Sequence, residues 1–230
     1  MRKIIRVVIP AYNEEKSIGY VIKDIPKEWV KEIIVVDNAS TDNTFEVIKS
    51  CGATALQEFR KGYGSACLKG IEYINKQTEK TDIIVFLDAD YSDYPEQLPD
   101  VVRPIIENDY DMVIGSRALG SKEKNSMTPP QIFGNWLATK LLKLLYGVTF
   151  TDLGPFRAIK LDKLNSINMK DINYGWTVEM QIKAARKKLK TIEVPVNYKK
   201  RIGVSKVSGT VKGTIMAGYK IIWTLLKYTI

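Results

Sequence analysis

The chain has 230 residues, of which 45% are hydrophobic and 27% are charged, a balance that lets a soluble protein bury a sizeable core. Lysine and arginine number 35 against 26 acidic residues, so the formal net charge is +9, which favours phosphate-bearing partners such as nucleotides, nucleic acid or an anionic membrane face. Histidine is absent, which excludes a histidine base, a Ser-His-Asp triad and histidine-ligated zinc.

The cysteines and the hydropathy pattern bear on where the protein works. Cys51 and Cys67 alone make neither a zinc site nor a disulfide framework, and a reducing compartment is the simplest setting for them. The N-terminus enters a strand pattern at once, without the apolar core and cleavage site of a secretory signal. No run of about 18 uncharged apolar residues occurs. We therefore expect a cytoplasmic protein without a membrane span.

The first half of the chain alternates β-branched runs with helical patterns, which predicts βαβ units around a mainly parallel, Rossmann-like α/β sheet flanked by helices. The predicted strands are 4–10, 32–37, 53–57, 83–88 and 111–115. The predicted helices are 15–25, 42–51, 64–79 and 96–108. The runs 33–36 and 83–87 are apolar at every position, as expected of strands that are covered on both faces.

The second half is predicted to begin with a long mobile loop over 117–130, which is rich in glycine, serine, lysine and proline. The elements predicted beyond it are an amphipathic helix over 131–146, a strand over 155–160, a helix over 175–188, a strand over 190–198, and a polar loop leading to a last helix over about 211–229.

Carboxylates follow several predicted strands. Glu14 comes shortly after the first strand, Asp37 ends the second, and Asp88-Ala89-Asp90 ends the fourth. Ligands of open parallel sheets collect at the carboxyl ends of the strands. Two carboxylates one residue apart can share a hard divalent cation such as Mg²⁺ or Mn²⁺, although an isolated Asp-x-Asp is often only a solvated turn. The position after a buried strand favours a metal site at Asp88 and Asp90.

Eight short motifs together resemble one enzyme family. They are VVIPAYNEE at 7–15, VVDNASTD at 35–42, KGYG at 61–64, DAD at 88–90, GSR at 115–117, GPFRA at 154–158, EVPV at 193–196 and RIGVSK at 201–206. The set resembles the inverting family 2 glycosyltransferases of the GT-A fold, and within that family the dolichol-phosphate mannose synthases and related polyprenyl-phosphate sugar synthases. The likeness implies one GT-A domain over 1–210, with a nucleotide-sugar half (1–116) and an acceptor half (117–210), followed by an amphipathic helix over 211–230.

The resemblance also implies roles for individual residues on the donor side. A nucleotide diphosphate sugar is the expected donor, and its pocket is formed by Pro10, Ala11, Tyr12, Glu14, Asp37 and Asp88. Asp88 lies by the nucleotide, and Asp90 binds the divalent cation that bridges the diphosphate. Both aspartates are expected to be catalytic, since the cation neutralises the leaving group. The plainer interpretation of Pro10 and Tyr12 is an ordinary turn after a strand.

Four basic residues are candidates to hold the acceptor or the pyrophosphate, and we expect Arg117 to be catalytic as well. They are Arg117, Arg157, Arg201 and Lys206. Guanidinium groups match phosphate oxygens in shape, although such residues are more often solvated surface charges.

The motifs are compatible with two kinds of acceptor, a lipid phosphate and a hydroxyl group. A polyprenyl or dolichyl phosphate is already an anion and needs only positioning, whereas a glycan or glycolipid hydroxyl needs a general base. Glu179, beside Tyr174 and Trp176, is the candidate base, with a structural role as the plainer interpretation. A nucleic-acid-binding module would explain the positive charge, but the acidic cluster and the lack of a basic–aromatic pattern argue against it. A catalytically silent scaffold is disfavoured by the retained Asp88 and Asp90.

The last helix carries a lysine stripe beside a broad apolar face. The stripe consists of Lys212, Lys220 and Lys227. This arrangement suits peripheral attachment at the inner face of a membrane, while packing onto the protein's own core or a second subunit is the alternative. The helix over 131–146 has a similar character. The sequence leaves open the base and sugar of the donor and the oligomeric state.

Overall fold

The computed structural model describes residues 3–203 and 211–229 and contains seven strands within these ranges. The strands are β1 (Ile5–Ala11), β2 (Glu32–Asp37), β3 (Thr54–Gln57), β4 (Ile83–Phe86), β5 (Met112–Ser116), β6 (Arg157–Lys160) and β7 (Thr191–Pro195). The helices are α1 (Ile18–Asp24), α2 (Thr44–Ser50), α3 (Tyr63–Asn75), α4 (Leu98–Asn108), α5 (Pro129–Tyr146), α6 (Leu161–Ile167), α7 (Trp176–Arg186) and α8 (Val211–Lys227).

All seven strands form one sheet in the order β3-β2-β1-β4-β6-β5-β7. The pairs β1–β2, β1–β4, β2–β3 and β5–β7 are parallel, whereas β6 runs antiparallel to both β4 and β5. The predicted mainly parallel sheet is therefore confirmed, with one antiparallel strand inserted between β4 and β5. Because β6 and β7 come from the second half of the chain, both halves build the same sheet.

Helices cover both faces of the sheet, and alternate residues of each central strand face opposite layers. In β1, Val8 belongs to the apolar cluster that includes residues of α3, α5 and α7, while Val7 and Ile9 belong to the cluster that includes residues of α1 and α4. All three side chains are fully buried. Burial on both faces explains why this strand is apolar at nearly every position.

The predicted helix ends lie up to four residues from the observed ones, and α5 and α6 illustrate the causes of such differences. Helix α5 begins at Pro129, because Thr128 and Gln131 form a capping box and proline fits the first turn, so the predicted loop ends two residues too late. Gly147, in the left-handed conformation with φ 69°, ends this helix. Helix α6 was not predicted. It has only seven residues and buries Leu161, Leu164 and Ile167, and so short an apolar pattern is hard to recognise without its packing partners.

The segment between β5 and α5 contains turns and one isolated bridge, from Lys122 to Tyr198, but no helix or longer strand. Within the described residues, no helix combines the length and the apolar character needed to cross a bilayer.

A substitution at the contact between α3 and β1 tests this architecture. A Cβ atom added at Gly70 would lie 2.5 Å from Val8 Cγ1 in the fully packed core. We expect Gly70→Ala to lower the free energy of unfolding by about 1–3 kcal/mol because the core must shift to accept the methyl group. Urea denaturation measures this loss.

Gly134 in α5 is the matched control, because a Cβ there meets no atom within 4 Å. Gly134→Ala should raise the free energy of unfolding by roughly 0.5–1 kcal/mol, the ordinary helical preference for alanine. Equal effects of the two substitutions would contradict the close packing of α3 on β1.

Candidate active site

A cavity of about 500 Å³ opens at the carboxyl ends of β1 and β4. Its walls come from the segments after these strands, the turn before α3, the segment before α7, and Arg201. The lining residues are Pro10, Ala11, Tyr12, Glu14, Asn38, Lys61, Gly62, Tyr63, Ala66, Asp88, Ala89, Asp90, Asn173, Tyr174 and Arg201. Most of the residues predicted for the donor side therefore meet in one cavity.

The wall after β1 combines an aromatic ring with charged groups. The Lys61 ammonium lies 5.3 Å from the centre of the Tyr12 ring. Glu14 is buried, where it accepts a hydrogen bond from the Ser17 hydroxyl (2.7 Å) and lies 3.3 Å from an Arg201 nitrogen. Residues that are 187 positions apart in sequence thus contact each other at this wall.

The wall after β2 differs from the sequence prediction. Asp37 is buried and accepts a hydrogen bond from the Ser40 amide (3.2 Å), so it shapes the turn and does not line the cavity. The neighbouring Asn38 lines the cavity instead. Its side chain donates to the carbonyls of Glu58 and Arg60 and accepts from the Gly62 amide (2.7 Å). Asn38 therefore holds the segment that brings Lys61 to the cavity.

Gly62 and the first turn of α3 pack against the backbone of residues 171–172. A Cβ atom added at Gly62 would lie 2.1 Å from the Ile172 carbonyl oxygen. One added at Gly64 would lie 2.0 Å from the backbone carbonyl oxygen of Asp171. Gly62 also has a φ of 143°, which side chains rarely adopt. Between the two glycines, Tyr63 donates a hydrogen bond of 3.0 Å to Asp88. These close approaches explain the glycines of the KGYG motif.

Asp88 and Asp90 follow β4 and face the cavity. Desolvation and the nearby charge of Asp90 raise the pKa of Asp88 to about 7, although the Tyr63 hydroxyl works in the opposite direction. Asp90 accepts hydrogen bonds from the amide (2.9 Å) and the hydroxyl (2.5 Å) of Ser92, and its second oxygen lies 3.1 Å from Arg201. Crowding of two acidic groups makes this edge of the cavity favourable for a cation.

Asp88 and Asp90 can supply some, but not all, of the ligands of a hard divalent cation at this edge. Asp88 and Asp90 offer only oxygen atoms, which suit Mg²⁺ or Mn²⁺, and carboxylate oxygens that accept one hydrogen bond keep a further lone pair. Within the described residues, no three acidic or cysteine side chains converge as metal ligands. A cation held here would therefore take its other ligands from phosphate oxygens and water.

Arg117 lies in a hydrogen-bonded network beyond β5. Its guanidinium contacts both oxygens of Asp152, at 2.8 and 2.7 Å, and the centre of the Tyr198 ring lies 5.0 Å away. Burial would lower the pKa of Arg117, but the Asp152 carboxylate raises it. Glu193 accepts hydrogen bonds from the amides of Thr151 and Asp152. Arg117 is thus fixed by an ion pair and does not line the cavity.

Arg157 does not fit the predicted role of gripping the acceptor. Its side chain is fully buried and donates to the carbonyls of Leu153, Gly154 and Thr177. Burial lowers its pKa to about 10. The interpretation of Arg157 as a phosphate ligand is corrected, because its guanidinium donates to backbone carbonyls of the protein itself and is not exposed to water.

Glu179 likewise does not fit the role of a general base. It is fully buried and accepts hydrogen bonds from the amides of Lys170 and Asp171 and from the Tyr228 hydroxyl, and Lys183 lies 2.7 Å away. Burial would raise the pKa of Glu179, but Lys183 and these hydrogen bonds lower it. A carboxylate that is held ionised, and that lies outside the cavity, is structural.

Arg201 and Lys206 are the remaining basic residues that were predicted to bind the acceptor or the pyrophosphate. Arg201 lines the cavity and contacts Glu14 and Asp90, and its Nε is buried without an acceptor among the described residues. Lys206 lies outside the described residues. Asn173 and Tyr174, which line the cavity from the segment before α7, were not predicted as site residues. Asp152, the partner of Arg117, was not predicted either. No charge pattern in the sequence around these residues indicates a site.

Asp93 is a further acidic group near this site that the sequence analysis did not single out. Both carboxylate oxygens are buried, and neither has a hydrogen-bond partner among the described residues. Desolvation and the charges of Asp88 and Asp90 raise its pKa well above the ordinary value. Three carboxyl groups therefore share one poorly hydrated region.

Comparisons with known proteins agree with the sequence motifs. The family model described as Glycosyl transferase family 2 matches residues 6–167, so the chain belongs to glycosyltransferase family 2. A UDP-N-acetylglucosamine--dolichyl-phosphate N-acetylglucosaminyltransferase from Methanococcus voltae is 30% identical over 247 residues, covering 97% of this chain and 95% of the relative. An undecaprenyl-phosphate mannosyltransferase from Micrococcus luteus is 30% identical over 222 residues, covering 90% of this chain and 88% of the relative.

A solved structure shows the same fold. Glucosyl-3-phosphoglycerate synthase from Mycobacterium tuberculosis, in complex with Mn²⁺, UDP-glucose and phosphoglyceric acid, matches with a TM-score of 0.79 and 24% sequence identity. The match covers 99% of this chain and 80% of the other. The predicted GT-A fold is therefore confirmed.

The raised pKa of Asp88 leads to a prediction about stability and pH. A carboxyl whose pKa is higher in the folded state stabilises the fold below its unfolded pKa, and this contribution is lost as the pH rises through the folded value, here about 7. Asp88→Asn should therefore stabilise the protein relative to wild type by about 1–2 kcal/mol more at pH 8 than at pH 5. Urea unfolding at both pH values measures the difference, and an equal gap at the two values would contradict it.

Proposed function

We propose that this glycosyltransferase moves a hexose, with inversion, from a nucleotide diphosphate sugar to a polyprenyl or dolichyl phosphate. The proposal for the donor rests on one observation: an aromatic ring, two basic side chains and a pair of aspartates line the same cavity. These are Tyr12, Lys61, Arg201, Asp88 and Asp90. Tyr12 and Lys61 offer a stacking surface for a base, and Arg201 offers guanidinium donors for a diphosphate.

A divalent cation belongs to this proposal because of the charge of the cavity. Glu14, Asp88 and Asp90 line it against Lys61 and Arg201, so an anionic diphosphate entering alone meets an excess of negative groups. Bound at Asp88 and Asp90, Mg²⁺ or Mn²⁺ would neutralise charge on the leaving nucleoside diphosphate. The M. tuberculosis structure in complex with Mn²⁺ and UDP-glucose supports a cation of this kind.

The acceptor side is supported by a groove of about 320 Å³ beside α5. Apolar side chains of Met127, Ile132 and Trp136 line it together with Lys122 and Asp152. This lining suits an amphiphile with an anionic head and a hydrocarbon tail. The names of the M. voltae and M. luteus relatives, which specify dolichyl phosphate and undecaprenyl phosphate, point to the same acceptor class.

An anionic acceptor also fits the chemistry of the site. In the proposed step a phosphate oxygen of the acceptor forms a bond to the anomeric carbon, and the bond from that carbon to the diphosphate oxygen breaks, with the electron pair leaving on the diphosphate. No proton has to be removed from a phosphate that is already ionised. The hydroxyl-acceptor alternative relied on Glu179, which is buried and held ionised by other contacts.

Exposed apolar residues on α5 and α8 support peripheral attachment to a membrane, where a polyprenyl phosphate resides. On α5 they are Ile132, Phe133, Trp136 and Leu144, and on α8 they are Ile215, Met216, Tyr219, Ile222, Trp223 and Leu226. The two helices contact each other, since the Tyr146 hydroxyl donates to the Leu225 carbonyl (2.5 Å). Together they offer a broad apolar surface with interfacial tryptophans, which suits the boundary between headgroups and acyl chains. The proposed location is therefore the inner face of the cytoplasmic membrane.

The donor proposal predicts metal-dependent nucleotide binding. Titration calorimetry should show tighter binding of UDP or GDP when Mn²⁺ or Mg²⁺ is present, and Asp90→Asn should remove most of that metal effect because a ligand of the cation is lost. Asp109→Asn is the matched control, since Asp109 is exposed at the end of α4 in a left-handed conformation that asparagine also adopts. A metal effect of the same size in folded Asp90→Asn protein would exclude Asp90 as a ligand.

The acceptor proposal predicts that the phosphate of the lipid is essential. Single-turnover transfer from a radiolabelled sugar donor should proceed to a polyprenyl phosphate and not to the polyprenol of the same length. Lys122→Ala should raise KM for the lipid phosphate by up to about 5-fold, the loss of one exposed charge contact, while donor binding is unchanged. Exposed Lys124→Ala serves as the control. Transfer to polyprenol alone would overturn the proposal.

A further inference from the structure

The segment from Lys170 to Gly175, called here the 170–175 loop, forms one wall of the cavity. Asn173 and Tyr174 line the cavity directly. The backbone just before these two residues packs against the first turn of α3, where the Ser65 amide donates to the Ile172 carbonyl (3.0 Å). That turn carries Tyr63, the hydrogen-bond donor to Asp88. The conformation of the 170–175 loop therefore affects two sides of the cavity.

Asp171 determines the conformation of the loop and is also bound to α8. One carboxylate oxygen accepts hydrogen bonds from the amides of Asn173 (2.7 Å) and Gly175 (3.2 Å), which closes the turn. The other oxygen lies 3.0 Å from the Lys220 ammonium. The Asp171 side chain is 7% exposed, so Lys220 compensates a charge that has little access to water.

A second connection to α8 runs through Glu179. This buried carboxylate accepts hydrogen bonds from the amides of Lys170 (3.1 Å) and Asp171 (2.7 Å), which are the first two residues of the loop. The Tyr228 hydroxyl, just after the end of α8, donates to the same carboxylate at 2.6 Å. Glu179 thus joins the start of the 170–175 loop to the C-terminal end of the described chain.

Packing leaves little freedom between α8 and the loop. A Cβ atom at Gly175 would lie 2.6 Å from Thr224 Oγ1 and 2.5 Å from an Asp171 oxygen, so α8 comes as close as a glycine allows. Thr224 and Leu225 of α8 are both buried. Three connections therefore join α8 and the residue after it to the 170–175 loop: the ion pair of Lys220 with Asp171, the Tyr228 hydrogen bond that acts through Glu179, and the close approach of the Thr224 side chain to Gly175.

We propose that α8 is a positioning element of the donor cavity, with Lys220 and Tyr228 as positioning residues that act through Asp171 and Glu179. The inference rests on the proposed function, because it assumes that the cavity holds a nucleoside diphosphate. It gives α8 a role besides membrane contact. The apolar side of the helix is exposed, while its buried side holds a wall of the site in the conformation that accepts the nucleotide.

The test compares the affinity for UDP and GDP, with Mn²⁺ present, among full-length variants. Lys220→Ala should weaken nucleotide binding by about 5-fold or more, the usual lower bound for coupling between two sites. Lys220→Arg keeps the charge beside Asp171 and should bind within about 2-fold of wild type. Lys140→Ala removes the same charge from an exposed position on α5 and should have no effect on binding.

A second variant and a kinetic measurement separate positioning from a general loss of structure. Tyr228→Phe keeps the ring and removes only the hydroxyl that contacts Glu179, and it should also weaken nucleotide binding. In both Lys220→Ala and Tyr228→Phe, KM for the sugar donor should rise, while KM for the lipid phosphate stays at the wild-type value. Thermal denaturation of the variants without nucleotide reports whether each remains folded.

The outcomes distinguish this inference from the proposed function. If wild-type protein binds UDP and GDP but Lys220→Ala and Tyr228→Phe bind them equally well, α8 does not position the cavity, and the proposed function stands. An equal rise in KM for donor and acceptor would assign these residues to the general stability of the fold and overturn the inference. If the wild-type protein binds neither nucleotide, the proposed function and this inference fail together.

Discussion

Asp88 and Asp90 stand where the buried strand β4 leaves the core, and the cost of keeping two like charges in a poorly hydrated place governs the structure around them. Tyr63 donates to Asp88, and Ser92 and Arg201 contact Asp90. These three partners come from the first turn of α3, the segment after β4 and the segment after β7. The acidic pair is therefore tolerable only when the sheet and the segments around it are all in place, which ties the candidate site to the folding of both halves of the chain.

Close backbone contacts fix the geometry that this arrangement needs. The turn at Gly62 and Gly64 approaches the 170–175 loop so tightly that a single methyl group would overlap with a carbonyl oxygen. Such contacts leave little room for independent movement, because packed interiors resist small displacements. The wall that carries Tyr63 and the wall that carries Tyr174 consequently behave as one unit, and α8 is joined to the same unit through Asp171.

Burial decides which charged residues serve the fold and which face the cavity. Arg157 and Glu179 are completely enclosed: Arg157 donates to backbone carbonyls, and Glu179 contacts backbone amides, the Tyr228 hydroxyl and the Lys183 ammonium. Removing such a charge from water is costly, so its contacts are used to compensate that cost and leave little capacity for a ligand. Arg201 is partly exposed, contacts two carboxylates of the cavity, and retains an unused donor among the described residues. Arg157 and Arg201 have the same side chain and differ only in their surroundings.

The mainly parallel sheet, the positions of most helices and the family could be predicted from the amino-acid sequence, because apolar periodicity and the motifs after β1, β2 and β4 are local properties of the chain. The sequence also identified seven of the 15 residues that line the cavity, through the family resemblance and because the carboxyl ends of parallel strands converge in any such sheet. Three features became visible only in the folded chain: Asp37 shapes a turn while Asn38 lines the cavity, Arg157 and Glu179 are structural, and α6 forms a short helix. These distinctions depend on burial and on contacts between residues distant in sequence. Neither can be read from residue type and spacing along the chain.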